Sequence, residues 1–357
     1  MEQIEYDLLP DDLRKPVPPA GNLGFGRHFT DHMFLMDFHR GRGWHRPRIC
    51  PFGDLALSPA AACLHYAQAI FEGLKAYRGT DGRIRLFRAR DNMARFNRSA
   101  LRMCMPEVDE AFLLDAIKSL VMLEKRWIPS DRGTSLYIRP FMVATESFLG
   151  VRPADEYLLA VILSPVGAYY SEGFNPVKIF VTDSYVRAAR GGVGEAKTAA
   201  NYAVSLMASE EAKKLGFTQV LWLDAAKRRY VEEVGTMNIF FLFGETLVTP
   251  SLSGSILPGI TRASVMDLAR SWGLEVEERL VAIDEVIERA KDGSLVECFG
   301  TGTAAVISPV GSLHYKGETV GVNGCRTGPL ARRLFEEITG IQYGEREDRF
   351  GWTEVLY

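Results

Sequence analysis

A chain of 357 residues, 47% hydrophobic and 24% charged, is long enough for two domains, each with its own core. Its net charge of −3 offers no basic face to nucleic acid and no polybasic anchor to a membrane. The longest nearly apolar run, "YLLAVILSPVGAYY", is broken by Ser164 and Pro165 and is too short to span a bilayer.

The start, "MEQIEYDLLPDDLRK", is acidic and lacks the apolar core of a signal peptide, and the first thirty residues, rich in proline and glycine, predict an irregular surface arm. "GRIRLFR" (82–88) alternates apolar and charged residues after the turn "GTDG", which predicts a half-buried strand. Asp91 is the expected cap of a helix in which Met93, Phe96, Ala100, Leu101 and Cys104 recur at helical spacing. "EAFLLDAIKSLVMLEKRW" has the same period, while "SLYIRPFMVAT" and "YLLAVILSPV" read as buried strands.

The glycines, proline and polar residues of "GAYYSEGFNPV" mark a linker at 167–177, between a first domain (1–166) and a second (178–357). Beyond it, "VKIFVTDSYV" predicts a strand, and "ANYAVSLMASEEAKKLG" a helix closed by Gly216. "TQVLWLD", "YVEEV" and "TMNIFFLF" predict strands on short turns, and helices are expected at 262–272, 283–291 and 327–339. Hairpin-linked strands mixed with helices point to an α+β fold. Five scattered cysteines without a C-x-x-C pair imply reduced thiols and a cytoplasmic protein, and no metal site is expected.

Two stretches imitate nucleotide sites. Around Lys197, "GGVGEAKTAANYA" is one residue short of a phosphate loop, with alanine where the glycine before the lysine belongs. "VLWLD", ending in Asp224, resembles the strand and aspartate that hold magnesium, but it runs straight into a turn. "GTGTAA" (300–305) has dinucleotide spacing, yet "VISPVGSLHY" after it predicts a strand where a helix is needed.

A lysine after glycines has a second use, as an amine that forms a Schiff base with an aldehyde cofactor. "FEGLKAYRG", "LYIRPFM", "EAKTAANYAVS", "EEVGTMNIFF", "SILPGITRASV" and "FGTGTAAV" occur in the order found in branched-chain amino acid aminotransferases, and the chain resembles that family from about residue 25 to its end. The resemblance implies a two-domain, fold-type IV enzyme that uses pyridoxal 5′-phosphate, with a smaller N-terminal domain, a larger C-terminal one and the cofactor between them.

Carried over by position, it makes Lys197 the lysine of the internal aldimine, and Tyr202 the partner of the cofactor's phenolic oxygen. Glu233 matches the acid facing the pyridine nitrogen; composition alone leaves Glu232 as a rival, although strand alternation sends the two to opposite faces. Arg95 matches the phosphate-binding arginine, but it shares a helix face with Arg98 and Arg102, among which periodicity does not choose. Ile260 and Thr261, at a helix start, and Thr303 complete the phosphate site in this likeness.

Tyr66, Tyr137, Arg139, Thr236 and Ala304 are placed near the substrate α-carboxylate, and Phe25, Phe71 and Tyr169 in an apolar pocket. Leu149 and Val151 match a loop that the family inserts from the other subunit of a homodimer. The implied reaction is ping-pong transamination of leucine, isoleucine and valine with 2-oxoglutarate. A C-x-x-C pair of mammalian relatives is replaced here by Ala305 and Ser308, so thiol regulation at that position is not expected. D-amino acid aminotransferase and aminodeoxychorismate lyase share the implied fold and cofactor. A phosphate-loop phosphotransferase and a catalytically silent binding protein are the rivals from other classes.

Overall fold

The computed structural model describes residues 2–167 and 174–356. The chain divides into two compact units: Met1–Tyr169 with Ala196–Ala199 and Gly340–Tyr357, and Tyr170–Glu195 with Ala200–Thr339. The short run that carries Lys197 therefore counts with the first unit, as does the C-terminal run, whereas chain order assigns both to the second domain.

The first unit is built on one sheet of β1 (Glu5–Tyr6), β2 (His32–His39), β3 (Gly43–Pro51), β4 (Ala69–Phe71), β5 (Leu74–Arg78), β6 (Ile84–Phe87), β7 (Ser135–Ala144), β8 (Glu156–Val166) and a C-terminal strand, Thr353–Val355. Their order is β1-β3-β2-β8-β7-β5-β6-C-terminal strand, with β4 also paired to β7. Pairing is antiparallel except between β1 and β3.

The alternation of β7 sorts its side chains. Leu136, Ile138, Met142 and Ala144 join the core formed with Met93, Phe96 and Ala100 of α2 (Ala89–Arg102) and Leu113, Ile117 and Leu120 of α3 (Glu110–Leu123). Tyr137 and Arg139 lie on the opposite face, with Phe141 and Val143, which pack near Met33, Leu35, Leu158 and Ala160.

Two helix expectations need correction. Helix α2 begins at Ala89 after Arg88; Asp91 lies inside the first turn, where its Oδ2 accepts from Arg88 Nε at 2.5 Å. Helix α3 is capped by Asp109, whose side chain accepts the Phe112 N–H at 3.0 Å, but it ends at Leu123, and Lys125–Trp127 is a separate 3₁₀ turn.

The second unit contains β9 (Val177–Val181), β10 (Gln219–Leu223), β11 (Val231–Val234), β12 (Asn238–Phe243), β13 (Thr246–Pro250), β14 (Glu275–Arg279), β15 (Leu295–Gly302), β16 (Val306–Tyr315) and β17 (Glu318–Gly321). Its sheet runs β11-β10-β9-β16-β15-β12-β13-β14, with β17 on β16, and mixes parallel with antiparallel pairs. Helix α4 (Ala199–Ala203) is followed by α5 (Leu206–Lys214), so the single helix expected over 200–216 is broken. At the break Ser205 bonds back to the Tyr202 carbonyl through both N–H (3.2 Å) and Oγ (2.7 Å), which competes with a continuous helix.

Ala208 and Ala212 of α5 pack on Val220 and Trp222. The other core joins Ile179, Leu221, Ile239 and Phe241 to Ile283 and Val286 of α7 (Ile283–Asp292). Helices α6 (Ile260–Ser271) and α8 (Pro329–Gln342) stand near the expected positions. The fold is α+β, and no helix among the described residues is long and apolar enough to cross a membrane.

Candidate active site

Both nucleotide look-alikes fail on local structure. Asp224 accepts the N–H groups of Lys227 (2.7 Å), Arg229 (2.9 Å) and Tyr230 (2.7 Å), so its carboxylate organises a turn. The "GTGTAA" segment closes β15 and turns directly into β16, and no helix follows it to receive a dinucleotide.

Lys197 is held by its backbone. Its carbonyl accepts the Phe71 N–H at 3.0 Å, and the neighbouring Thr198 donates its hydroxyl to the Ala69 carbonyl at 2.7 Å and bridges Ile70. The Lys197 N–H in turn donates to Ser99 Oγ on α2 at 2.9 Å. These bonds dock residues 197–198 as an added edge on β4 and fix where the lysine side chain starts. Lys197 Nζ is 5.0 Å from the centroid of the Phe71 ring.

The same ring carries a second cation: Arg139 Cζ is 4.7 Å from its centroid. Arg139 Nη2 donates to the Tyr137 hydroxyl at 3.1 Å, and the Phe25 ring meets Tyr137 edge-on at 5.0 Å. No carboxylate among the described residues pairs with Arg139, and its buried Nε has no hydrogen-bond partner there. A structural ion pair, the plain explanation of an arginine in this strand, is therefore absent among those residues. Lys75, in register with Tyr137 on the adjacent strand, is buried, which brings its amine down to about 8.

Of the three candidate arginines on α2, burial distinguishes one. Arg95 is 4% exposed, whereas Arg98 and Arg102 are exposed. Arg95 donates Nε to Glu72 Oε1 at 2.7 Å and Nη2 to Glu72 Oε2 at 2.9 Å. Burial pushes the Glu72 carboxyl up, but the charges of Arg95 and Lys197 and the Arg95 and Asn92 hydrogen bonds more than offset it, leaving it below the usual range. Tyr66 is partly exposed and donates its hydroxyl to the Leu149 carbonyl, while Leu149 and Val151 project into solvent. Tyr169 lies outside the described residues.

In the second unit, Glu232 and Glu233 are both buried but differently employed. Glu233 Oε1 accepts the Leu257 N–H at 2.7 Å, and Oε2 lies 3.3 Å from Arg187 Nε. Glu232 accepts the Ser255 hydroxyl on Oε1, and its buried Oε2 has no partner among the described residues. Burial raises the Glu232 carboxyl despite that bond and the nearby Arg187 charge, so of the two acids Glu233 has the environment of a carboxylate.

Leu257 joins this acid to the next group, since its carbonyl accepts Asn238 Nδ2 at 2.9 Å, shortly before α6 opens at Ile260 and Thr261. No side chain among the described residues caps α6. Thr236 sits exposed at the β11–β12 turn, and Thr303 and Ala304 lie half-buried at the β15–β16 turn. Thr301, two residues before Thr303, has a buried hydroxyl without a partner among the described residues. Tyr202 is half-buried on α4.

Sequence reading missed Glu72, Ser99 and Arg187. Glu72 had a signal, an acid inside the apolar run "AIFEGL"; Ser99 and Arg187 had none that separates them from ordinary helix and loop residues. Taken separately, the units hold kinds of group that suit pyridoxal phosphate: an amine in the first, and in the second a carboxylate beside an arginine and a helix start that no side chain among the described residues caps.

A family model for class IV amino-transferases matches residues 69–313. Branched-chain-amino-acid aminotransferase 2 of Bacillus subtilis (strain 168) is 56% identical over 340 residues, covering 95% of this chain and 94% of that one. The crystal structure of Escherichia coli branched-chain amino acid aminotransferase superposes with a TM-score of 0.75 at 28% identity, over 92% of this chain and 99% of the other. The branched-chain amino acid aminotransferase from Thermobaculum terrenum, in its PLP form (holo form), gives a TM-score of 0.71 at 26% identity, over 91% and 98% of the two chains.

Proposed function

The chain belongs to the class IV amino-transferase family, with the branched-chain amino acid aminotransferases, and from that premise we propose its reaction in full: transfer of the amino group of leucine, isoleucine or valine to 2-oxoglutarate, by ping-pong kinetics. The observation that carries this reading is the Phe71 ring, whose centroid lies 5.0 Å from the Lys197 amine and 4.7 Å from the Arg139 guanidinium. An amine to move a proton and an arginine that no carboxylate among the described residues pairs with are the two groups that an amino acid substrate needs.

Pyridoxal phosphate, when bound, supplies the electron sink that makes the substrate Cα proton acidic. Lys197 is its covalent anchor and afterwards takes that Cα proton and returns it, as base and then acid. Arg139 and the Tyr137 hydroxyl hold the α-carboxylate, helped by N–H groups at Thr236 and Ala304. Glu233, paired with Arg187, would face the pyridine nitrogen, and Tyr202 would donate to the phenolic oxygen. Arg95, the N–H groups of Ile260 and Thr261 and the Thr303 hydroxyl take the phosphate.

Phe25, Phe71 and Tyr169 give the apolar walls that suit a branched side chain. The exposed Leu149, whose carbonyl accepts from Tyr66, and the exposed Val151 suit a loop that a second copy of this chain receives, which makes the working form a homodimer. Five unpaired cysteines support a reducing, cytoplasmic setting.

The test is optical. Protein reconstituted with pyridoxal phosphate should show a yellow band that L-leucine bleaches and 2-oxoglutarate restores, and Lys197→Ala should never form it. A colourless protein that ignores pyridoxal phosphate but binds ATP with magnesium would overturn the reading.

A further inference from the structure

Glu72 lies at the junction of β4 and β5 and is 0% exposed. Four donors converge on its carboxylate: Arg95 Nε (2.7 Å) and Nη2 (2.9 Å), Asn92 Nδ2 (2.7 Å) and the Gly73 N–H (3.1 Å). Three of the four bonds fall on Oε2 and one on Oε1, so both ends of the carboxylate are fixed. A buried ion pair is seldom more stable than the hydrophobic pair that could replace it, so folding alone is a weak reason for this one.

Its surroundings suggest a better reason. The residue before Glu72 is Phe71, whose N–H holds the Lys197 carbonyl and whose ring faces the Lys197 amine. We infer that Glu72 is a positioning residue of the active site, which sets the Arg95 guanidinium for an anion.

The inference rests on the proposed role of Arg95. Asn92 and the Gly73 N–H are the carboxylate's other partners among the described residues. A bidentate carboxylate–guanidinium pair fixes the plane of the arginine as well as its position, which a lone charge does not.

Two variants of the full-length apoprotein test this. Glu72→Gln keeps the shape and removes the charge; Glu72→Asp keeps the charge and withdraws it from Arg95 by one methylene. The readout is the ratio of affinities for pyridoxal phosphate and unphosphorylated pyridoxal.

Glu72→Gln and Glu72→Asp should each reduce the preference for the phosphorylated ligand by about tenfold, the scale of one weakened charge-assisted bond. Variants that keep wild-type near-UV circular dichroism and the wild-type preference would overturn the inference. Should Glu72→Gln not fold, the preference measured on Glu72→Asp decides alone. A wild-type protein with no preference for the phosphorylated ligand would instead sink the proposed function.

Discussion

Arg187 Nε stands 3.3 Å from Glu233 Oε2, and both residues are more than nine-tenths buried, at 8% and 4% exposed. The Leu257 N–H holds the other oxygen, so the carboxylate is fixed at both ends. Arg187→Met removes the guanidinium from beside a buried carboxylate. The expected cost is about 3–5 kcal/mol in urea unfolding, the usual penalty for breaking one side of a buried pair. Activity should fall further than the folded fraction does, because Glu233 without Arg187 no longer stabilises a protonated pyridine. Arg187→Lys should recover part of it; full activity in a folded Arg187→Met protein would show that Glu233 needs no partner.

The pair of Glu72 and Arg95 predicts an acid limb in the stability curve. The folded carboxyl lies below its ordinary value, so the pair's contribution is fully present above the ordinary glutamate range. It is lost as the pH falls from that range through the lower, folded value, where protonation ends the ion pair. Unfolding free energies measured in urea at stepwise lower pH should therefore fall less steeply for Glu72→Gln than for wild type. Parallel curves would show that this carboxyl is not perturbed by folding.

How much the residues themselves revealed depended on whether neighbours in sequence were neighbours in space. Strands β7 and β8 were legible because both faces of their alternation are buried or half-buried, and Asp224 was legible because its partners lie within six residues. The break after Ala203 was not, since it hangs on a Ser205 back-bond that competes with a strong helical period. Glu233 over Glu232 was hidden for another reason. Strand alternation separates the two faces but does not say that Arg187, 46 positions earlier, and the Leu257 N–H wait on only one of them. The docking of Lys197 on β4 joins residues 126 apart and lay beyond any local pattern.

The loop before Lys197 owes one glycine to crowding. A Cβ on Gly194 would stand 2.3 Å from the Ser255 carbonyl oxygen and 2.6 Å from Ala188 Cβ, and neither backbone nor methyl can swing aside. The same Ser255 carbonyl accepts from Arg187, so any shift reaches the partner of Glu233. Gly194→Ala should cost about 1–3 kcal/mol of stability, as overpacking does, and should depress activity with it. Chemical denaturation and kcat measured on the same preparation test the coupling, and an unchanged pair of values would mean that the loop yields freely.

Gly73 sets a second close approach, this time against a group assigned to substrate. A Cβ there would lie 2.0 Å from the Tyr137 hydroxyl and 2.8 Å from its Cζ, so the ring must move. That hydroxyl is the acceptor for Arg139 Nη2, and the ring itself packs against Phe25. Gly73→Ala should therefore leave Lys197 in place on β4 but disturb the pair proposed to hold the α-carboxylate. The expected result is a rise in KM for leucine of about tenfold, near the worth of one charged hydrogen bond, with a smaller change in kcat. Tyr137→Phe, which removes the hydroxyl without the clash, should show the same split between KM and kcat. A loss confined to kcat in both variants would move Tyr137 and Arg139 out of carboxylate binding.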